Sequence, residues 1–174
     1  MITKEEVVSR DAIASRVKEI AQAITRDYAG RQLVMIGILN GAFIFLADLV
    51  REIELPMEID FIRVASYGSG TCSSGAIRLV KDTELALAGK DILLVEDIVD
   101  TGRTLACLQE LLADRKAASV RICALIDKQE RREVEVAVDY AGFVIAEGFL
   151  VGYGLDYAQQ HRQYPAIHRI VSGV

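Results

Sequence analysis

Three carboxylates stand close together at Glu96, Asp97 and Asp100, between the apolar run Ile92–Val95 and the turn Thr101-Gly102-Arg103-Thr104. Carboxylates accept hydrogen bonds from diols and ligate hard cations such as magnesium. The turn offers complementary chemistry. Gly102 permits close backbone approach, two threonines supply hydroxyls, and successive N–H groups at a helix start form an anion site. One half of the stretch suits a phosphate and the other suits hydroxyls or a cation, which together describe a ribose 5-phosphate. The plainer alternative is that the acids cap a helix, with Asp100 as its N-cap.

The surrounding elements must hold this stretch in place. "DILLV" from Asp91 has the continuous apolarity of a strand covered on both faces, and "TLACLQELLADRKA" reads as the helix after it. "LVMIGIL", Leu33 to Leu39, is a second such strand. It is broken by Asn40-Gly41-Ala42 and followed by the helix "FIFLADLVREI". "SVRICALIDK" is a third. Upstream, Ser9 is a good N-cap, Ile13, Val17, Ile20, Ala21 and Ile24 recur at helical spacing, and Gly30 marks a stop. "MEIDFIRVASY" and "AIRLVKD" read as strands, and "GSGTCSSG", Gly68 to Gly75, as a flexible loop. "AGFVIAEGFLVGYGLDY" holds two short apolar pieces, and "YPAIHRIVSG" one more strand. Strands alternating with helices predict an α/β fold with a parallel sheet, in one domain spanning residues 1–174. In such sheets ligands lie beyond the C-terminal ends of the strands, where Glu96, Asp97 and Asp100 fall.

The formal net charge is −5, which argues against a basic nucleic-acid groove. The most apolar window, Leu33 to Ala47, is shorter than a membrane span and is interrupted by Asn40-Gly41. The charged N-terminus carries no signal-peptide core. Cys72, Cys107 and Cys123 are odd in number and far apart, so no disulfide framework is expected and a reducing, cytoplasmic setting is.

"VEDIVDTGRT", Val95 to Thr104, resembles the phosphoribosyl-pyrophosphate motif of type I phosphoribosyltransferases, and its Glu-Asp pair and Asp-Thr-Gly look most like the 6-oxopurine, hypoxanthine–guanine branch. Other segments match in order. "LNGA" at Leu39 is similar to the family's pyrophosphate loop, and "SYGSGTCSSG" at Ser66 to its mobile lid. Asp127-Lys128 is similar to the base-reading segment, and "FLVGYGLDY" at Phe149 to the base-stacking and second-metal segment. Arg162, six residues beyond Asp156, stands where the family has a pyrophosphate-binding arginine.

The resemblance implies a parallel sheet flanked by helices with a small hood built from the chain ends. It also implies transfer of a phosphoribosyl group from phosphoribosyl pyrophosphate to hypoxanthine or guanine, with Mg2+. Glu96 and Asp97 would hold the ribose hydroxyls and magnesium, and Asp100 would be the general base for the purine N7 proton. Residues 100–104, Asp100, Thr101, Gly102, Arg103 and Thr104, would cradle the 5-phosphate. Lys128 would donate to the 6-oxo group, Phe149 would stack on the purine, and Leu150 main-chain groups would read its edge. Asp156 would ligate a second magnesium. Asn40, Gly41 and Arg162 would meet pyrophosphate, with Ser66 and Tyr67 at the lid. Asn40 departs from the family, which often has lysine there. Read alone, Lys128 is a solvated strand end, Phe149 a core residue, and His161 and His168 surface residues.

A homodimer or homotetramer is expected, with "FIFLADLV" as a contact surface. Two other readings stay open: a xanthine-preferring relative, and a nucleotide-sensing regulator on the same fold.

Overall fold

The chain begins with a strand that its own composition conceals. A computed structural model describes residues 3–66 and 77–172. In it β1 (Thr3–Val8), half charged and mostly exposed, pairs antiparallel with the last strand, β9 (Ile167–Ser172). β8 (Phe149–Val151) flanks β9 on its other side. These three form the small sheet β1-β9-β8, a hood made from both chain ends.

The remaining elements are α1 (Arg10–Asp27), β2 (Leu33–Ile38), α2 (Phe43–Glu52), β3 (Met57–Ser66), β4 (Ile77–Lys81), β5 (Asp91–Val99), α3 (Arg103–Asp114), β6 (Ser119–Asp127) and β7 (Tyr140–Val144). The main sheet has the order β4-β3-β2-β5-β6-β7. Its neighbours are parallel except β4, which runs antiparallel to β3 at the edge.

The predicted α1 forms with the predicted chemistry. The Ser9 hydroxyl accepts from the Ala12 N–H at 3.1 Å, and the buried residues are Ile13, Val17, Ile20, Ala21 and Ile24. Beside this stripe, Arg16 donates from Nε and Nη2 to the Gly142 and Ala141 carbonyls at 3.0 and 2.7 Å, which covers part of β7, the edge strand. β2 is buried at every position, as expected of a strand with packing on both faces. One core lies among α1, α2 and the hood; the other gathers Leu105, Leu108 and Leu112 of α3 against Ile36, Leu94 and Ile122 of the sheet.

The strand order locates the functional edge. From β2 the chain winds outward through β3, then returns to lay β5 on the other side of β2 and winds the opposite way through β6 and β7. The winding reverses between β2 and β5, and ligands of open parallel sheets bind at the carboxyl ends beside such a reversal.

α2, expected as a contact surface for another subunit, buries Phe45, Leu46 and Leu49 in the chain's own core and leaves Phe43 46% exposed. One expectation is corrected. Cys107 on α3 is disulfide-bonded while Cys123 is buried and free. An odd count and wide spacing therefore do not exclude a bonded thiol, and the step from three lone cysteines to a reducing setting loses that support.

Candidate active site

Glu96 and Asp97 do not stand past the end of a strand, as the apolar run alone suggested. β2 pairs with β5 from Leu33–Asp91 to Gly37–Val95, and β5 then continues beside β6 as far as Val99–Asp127. The two acids therefore lie within β5, on the stretch that β2 has left as it turns through residues 39–42 into α2. One neighbour strand is missing, and the edge is open to side chains that a doubly flanked strand would exclude.

The acids are held closely. Glu96 Oε1 accepts from the Asp97 N–H at 2.9 Å, and Asp97 Oδ1 from the Ile98 N–H at 2.7 Å. Burial raises the pKa of Glu96, and the adjacent Asp97 carboxylate raises it further. Burial also raises that of Asp97, against the hydrogen bonds from Glu96 and Ile98 and the charge of Arg162. Two like charges removed from water cannot both ionise cheaply, so this pair favours a shared proton or a cation between its oxygens.

The turn after β2 lies directly on Asp97. A Cβ added to Gly41 would sit 1.7 Å from Asp97 Oδ2, and one added to Gly154 would sit 2.1 Å from the Gly41 carbonyl oxygen. The order Asp97, Gly41, Gly154 thus stacks β5, the turn and the hood with no room for a methyl group. The Leu39–Asn40 peptide is cis, and Asn40 is exposed. In the same turn the Ala42 N–H is committed to the Ile38 carbonyl at 3.2 Å.

Asp100 is not a helix cap. The cap position of α3 belongs to Gly102, at φ +84° and with no side-chain cap bond. Asp100 Oδ1 is buried with no hydrogen-bond partner among the described residues, and Oδ2 lies 3.5 Å from Arg131 Nη1. A buried orphaned carboxylate oxygen is costly unless something docks on it. Glu96, Val99, Asp100, Thr101, Gly102 and Thr104 line a cavity of about 120 Å³. A larger cavity, about 370 Å³ and bounded by residues such as Val17, Ile44 and Tyr153, contains none of the expected site residues; the smaller one carries the chemistry.

The expected base-binding residues divide between sheet and hood. Lys128 follows directly on β6, and its N–H donates to the Val99 carbonyl at 3.0 Å, which puts it beside Asp100. It is 8% exposed and pairs with Glu130 at 3.3 Å, so it is no solvated strand end. Phe149 is 51% exposed and meets Tyr157 edge-on at 5.5 Å, so it is not core; Leu150 beside it is buried. Asp156 accepts from the Gln159 N–H at 2.8 Å and pairs with Arg162 at 3.1 Å. Arg162 also donates to the Gly154 carbonyl at 2.7 Å, bracing the turn that rests on Gly41. His161 and His168 are partly buried against Tyr164 in the hood, with ring centroids 5.4 and 5.6 Å away, rather than surface residues. Ser66 ends β3, and Tyr67 and the loop from Gly68 to Gly75 lie outside the described residues.

Among the described residues, no three histidine, cysteine or acidic side chains converge as a metal cage. The Glu96–Asp97 pair suits magnesium in another way, because that ion is commonly bound by one or two carboxylates together with substrate phosphates and waters.

Sequence reasoning missed Arg131, Arg132 and Glu133, which meet the turn formed by residues 100–104. Arg103 pairs with Glu133 at 2.5 Å, and Arg132 Nε donates to the Asp100 carbonyl at 3.1 Å. "QERRE" reads as a solvated charged loop, and no periodicity marks it otherwise.

The comparisons agree with this geometry. A model of the phosphoribosyl transferase domain matches residues 4–158. The hypoxanthine phosphoribosyltransferase of Salmonella typhimurium is 43% identical over 171 residues, covering 97% of this chain and 96% of that protein. The enzyme of that name from Haemophilus influenzae is 45% identical over 168 residues, 95% and 94% of the two chains. A hypoxanthine-guanine phosphoribosyltransferase structure from Bacillus anthracis superposes with a TM-score of 0.91 at 40% identity, covering 98% of this chain and 99% of that one. A family match of this extent, on a sheet whose winding reverses beside the acidic strand, means that the chain belongs to the phosphoribosyl transferase family.

Proposed function

We infer that this chain is a 6-oxopurine phosphoribosyltransferase of purine salvage: it transfers the 5-phosphoribosyl group of phosphoribosyl pyrophosphate to hypoxanthine or guanine, giving IMP or GMP and pyrophosphate. The observation that carries the mechanism is Asp100, which caps no helix and whose buried Oδ1 has no hydrogen-bond partner among the described residues. In the reaction the bond from C1′ to the pyrophosphate oxygen breaks, and its electron pair leaves with pyrophosphate. The bond from purine N9 to C1′ forms, and the N7 proton passes to the Asp100 carboxylate. Asp100 in this role is a general base.

Residues 101–104 receive the 5-phosphate at the start of α3, where backbone N–H groups and the helix dipole favour an anion. Lys128 offers a donor to the 6-oxo oxygen, exposed Phe149 a face for the purine, and Leu150 its main-chain groups. Asn40, Gly41 and Arg162 receive pyrophosphate, with Ser66 and Tyr67 at a lid that excludes water. Glu96, Asp97 and Asp156 are the residues that would hold Mg2+, which when bound supplies charge neutralisation for the departing pyrophosphate. The whole chain, residues 1–174, acts as one domain, as a homodimer or homotetramer. A cytoplasmic setting belongs to the same proposal; no described helix is long and apolar enough to cross a membrane.

The test is nucleotide formation from hypoxanthine, guanine, xanthine and adenine with the sugar donor, with and without magnesium. Product from hypoxanthine and guanine only when magnesium is present is the expected result. No nucleotide from either base would overturn the reading.

A further inference from the structure

We propose that Arg132 is a positioning residue that fixes Asp100 and Lys128 relative to one another. The inference deepens the transferase reading and rests on it. Arg132 is buried at the side chain, 9% exposed, and its guanidinium spans two elements. Nε donates to the Asp100 carbonyl at 3.1 Å. Nη2 donates to Asp127 Oδ1 at 2.5 Å and to the Lys128 carbonyl at 3.3 Å. The planar fork of one arginine therefore ties the end of β5 to the end of β6, where parallel pairing stops at Val99–Asp127.

The reaction explains why that distance matters. The 6-oxo oxygen and N7 of a 6-oxopurine lie on the same edge of the base. A donor for the first and a proton acceptor for the second must be set to the same rigid spacing. Asp100 and Lys128 follow different strands, just past the last pair of the ladder, where one backbone bond, from the Lys128 N–H to the Val99 carbonyl, still links the two ends. Arg132 adds the tie to Asp100 itself. Asp127 holds the fork and the two carbonyls receive it.

The phosphate turn has separate support. The Glu133 and Val134 N–H groups both donate to the Thr101 carbonyl, at 2.9 and 3.0 Å. Gly102 lies so close that an added Cβ would sit 2.2 Å from the Val134 carbonyl oxygen. Loss of the Arg132 side chain leaves these backbone contacts in place. Its effect should fall on the base and the proton, with sugar-donor binding largely kept.

The experiment compares the parent chain with Arg132→Gln and Arg132→Lys, each normalised to folded protein by circular dichroism. In Arg132→Gln, kcat with hypoxanthine should fall by about 10²-fold, the size expected when reacting groups are displaced by roughly 1 Å. The KM for the sugar donor should stay within about threefold, and the preference for hypoxanthine over adenine should narrow by about 10-fold. Arg132→Lys keeps the charge and loses the fork, so it should follow the glutamine variant. A merely structural arginine would lower the folded fraction and leave kcat per folded molecule and base preference unchanged. That outcome, or a lysine variant equal to the parent, overturns the proposal. If Arg132→Gln does not accumulate as folded protein, Asp127→Asn decides. A fall in kcat of about fivefold or more with the donor KM unchanged supports the bridge, and parent-like kinetics overturn it. A parent chain that makes no nucleotide from hypoxanthine would instead sink the transferase reading itself.

Discussion

Gly41→Ala is the smallest change that tests the packing of the pyrophosphate turn on the acidic strand. The new Cβ would lie 1.7 Å from Asp97 Oδ2 and 2.5 Å from its Cγ, where ordinary contact begins at 3.4 Å. One side must retreat by more than ~1 Å. The turn cannot simply lift towards the hood, because the Gly154 Cα already rests on the Gly41 carbonyl: even a Cβ there would come within 2.1 Å of that oxygen. Asp97 can swing only by giving up its bond from the Ile98 N–H. A hydrogen bond to a charged group is worth about 1.5–3 kcal/mol, and overpacking a tight site costs about 1–3 kcal/mol. With both costs borne, the expected loss of stability is about 2.5–6 kcal/mol, enough to lower Tm by roughly 5–20 °C.

Activity should suffer more than stability, because the displaced groups are those proposed to hold the sugar and its leaving group. A shift of this size costs about 10²-fold in kcat/KM for the sugar donor. The assay is steady-state nucleotide formation with the donor varied at saturating hypoxanthine, alongside a thermal melt of the same preparation. A variant with parental kcat/KM for the donor would refute the argument, since it would mean that Asp97 and the turn move apart without consequence for catalysis.

Three further outcomes are expected. Asp100→Asn should lower kcat by roughly 10²–10⁴-fold, the usual size of a general-base contribution, with little change in sugar-donor affinity by titration; near-parental kcat would reduce Asp100 to a structural role. Adenine should be used on the order of 10³–10⁵-fold less well than hypoxanthine in kcat/KM, because Lys128 can only donate and the 6-amino group is itself a donor. Asp60 is buried, which would raise its pKa, but bonds from the Leu85, Phe61 and Glu84 N–H groups and the charge of Lys81 outweigh this and hold it below the usual carboxylate range. A depressed carboxylate stabilises the fold above its unfolded pKa, and that contribution is lost as pH falls through the lower folded value. Asp60→Asn should therefore cost about 1–3 kcal/mol in urea melts near neutral pH and less at about pH 3, and an equal cost at both would contradict this assignment.

How much was legible in the chain depended on whether the deciding partner was near in sequence. α1 was readable to its cap and its five buried residues, because capping and helical periodicity are local. The end of β5 was not. Val95 closes the apolar run, but the strand continues because β6 is still there to pair with it. β1 escaped notice since an edge strand in a hood needs a partner, not an apolar face. Lys128 read as solvated because its burial comes from the segment beyond it folding back, and Arg132 was hidden in that same segment by three charged neighbours. The hood positions Phe149, Asp156 and Arg162 came from family resemblance; spacing alone would have left them as a core residue, a turn and a surface charge.

The site itself follows from a mismatch in strand length. A central parallel strand flanked on both sides and packed on both faces admits few charges, which is why residues 92–95 are apolar. β2 stops at Ile38 and β5 runs on to Val99, so four residues of β5 lose one neighbour while keeping the other. Acidic side chains can enter there without breaking the ladder, and they remain rigid because β6 still holds their backbone. Their burial raises the pKa values of Glu96 and Asp97, which is the stability the fold gives up for having them there. A polar ligand or cation that repays this desolvation gains affinity from strain already present in the free protein. The glycines at 41 and 154 complete the arrangement, since only backbone can close the gap that β2 leaves without pushing the acids away.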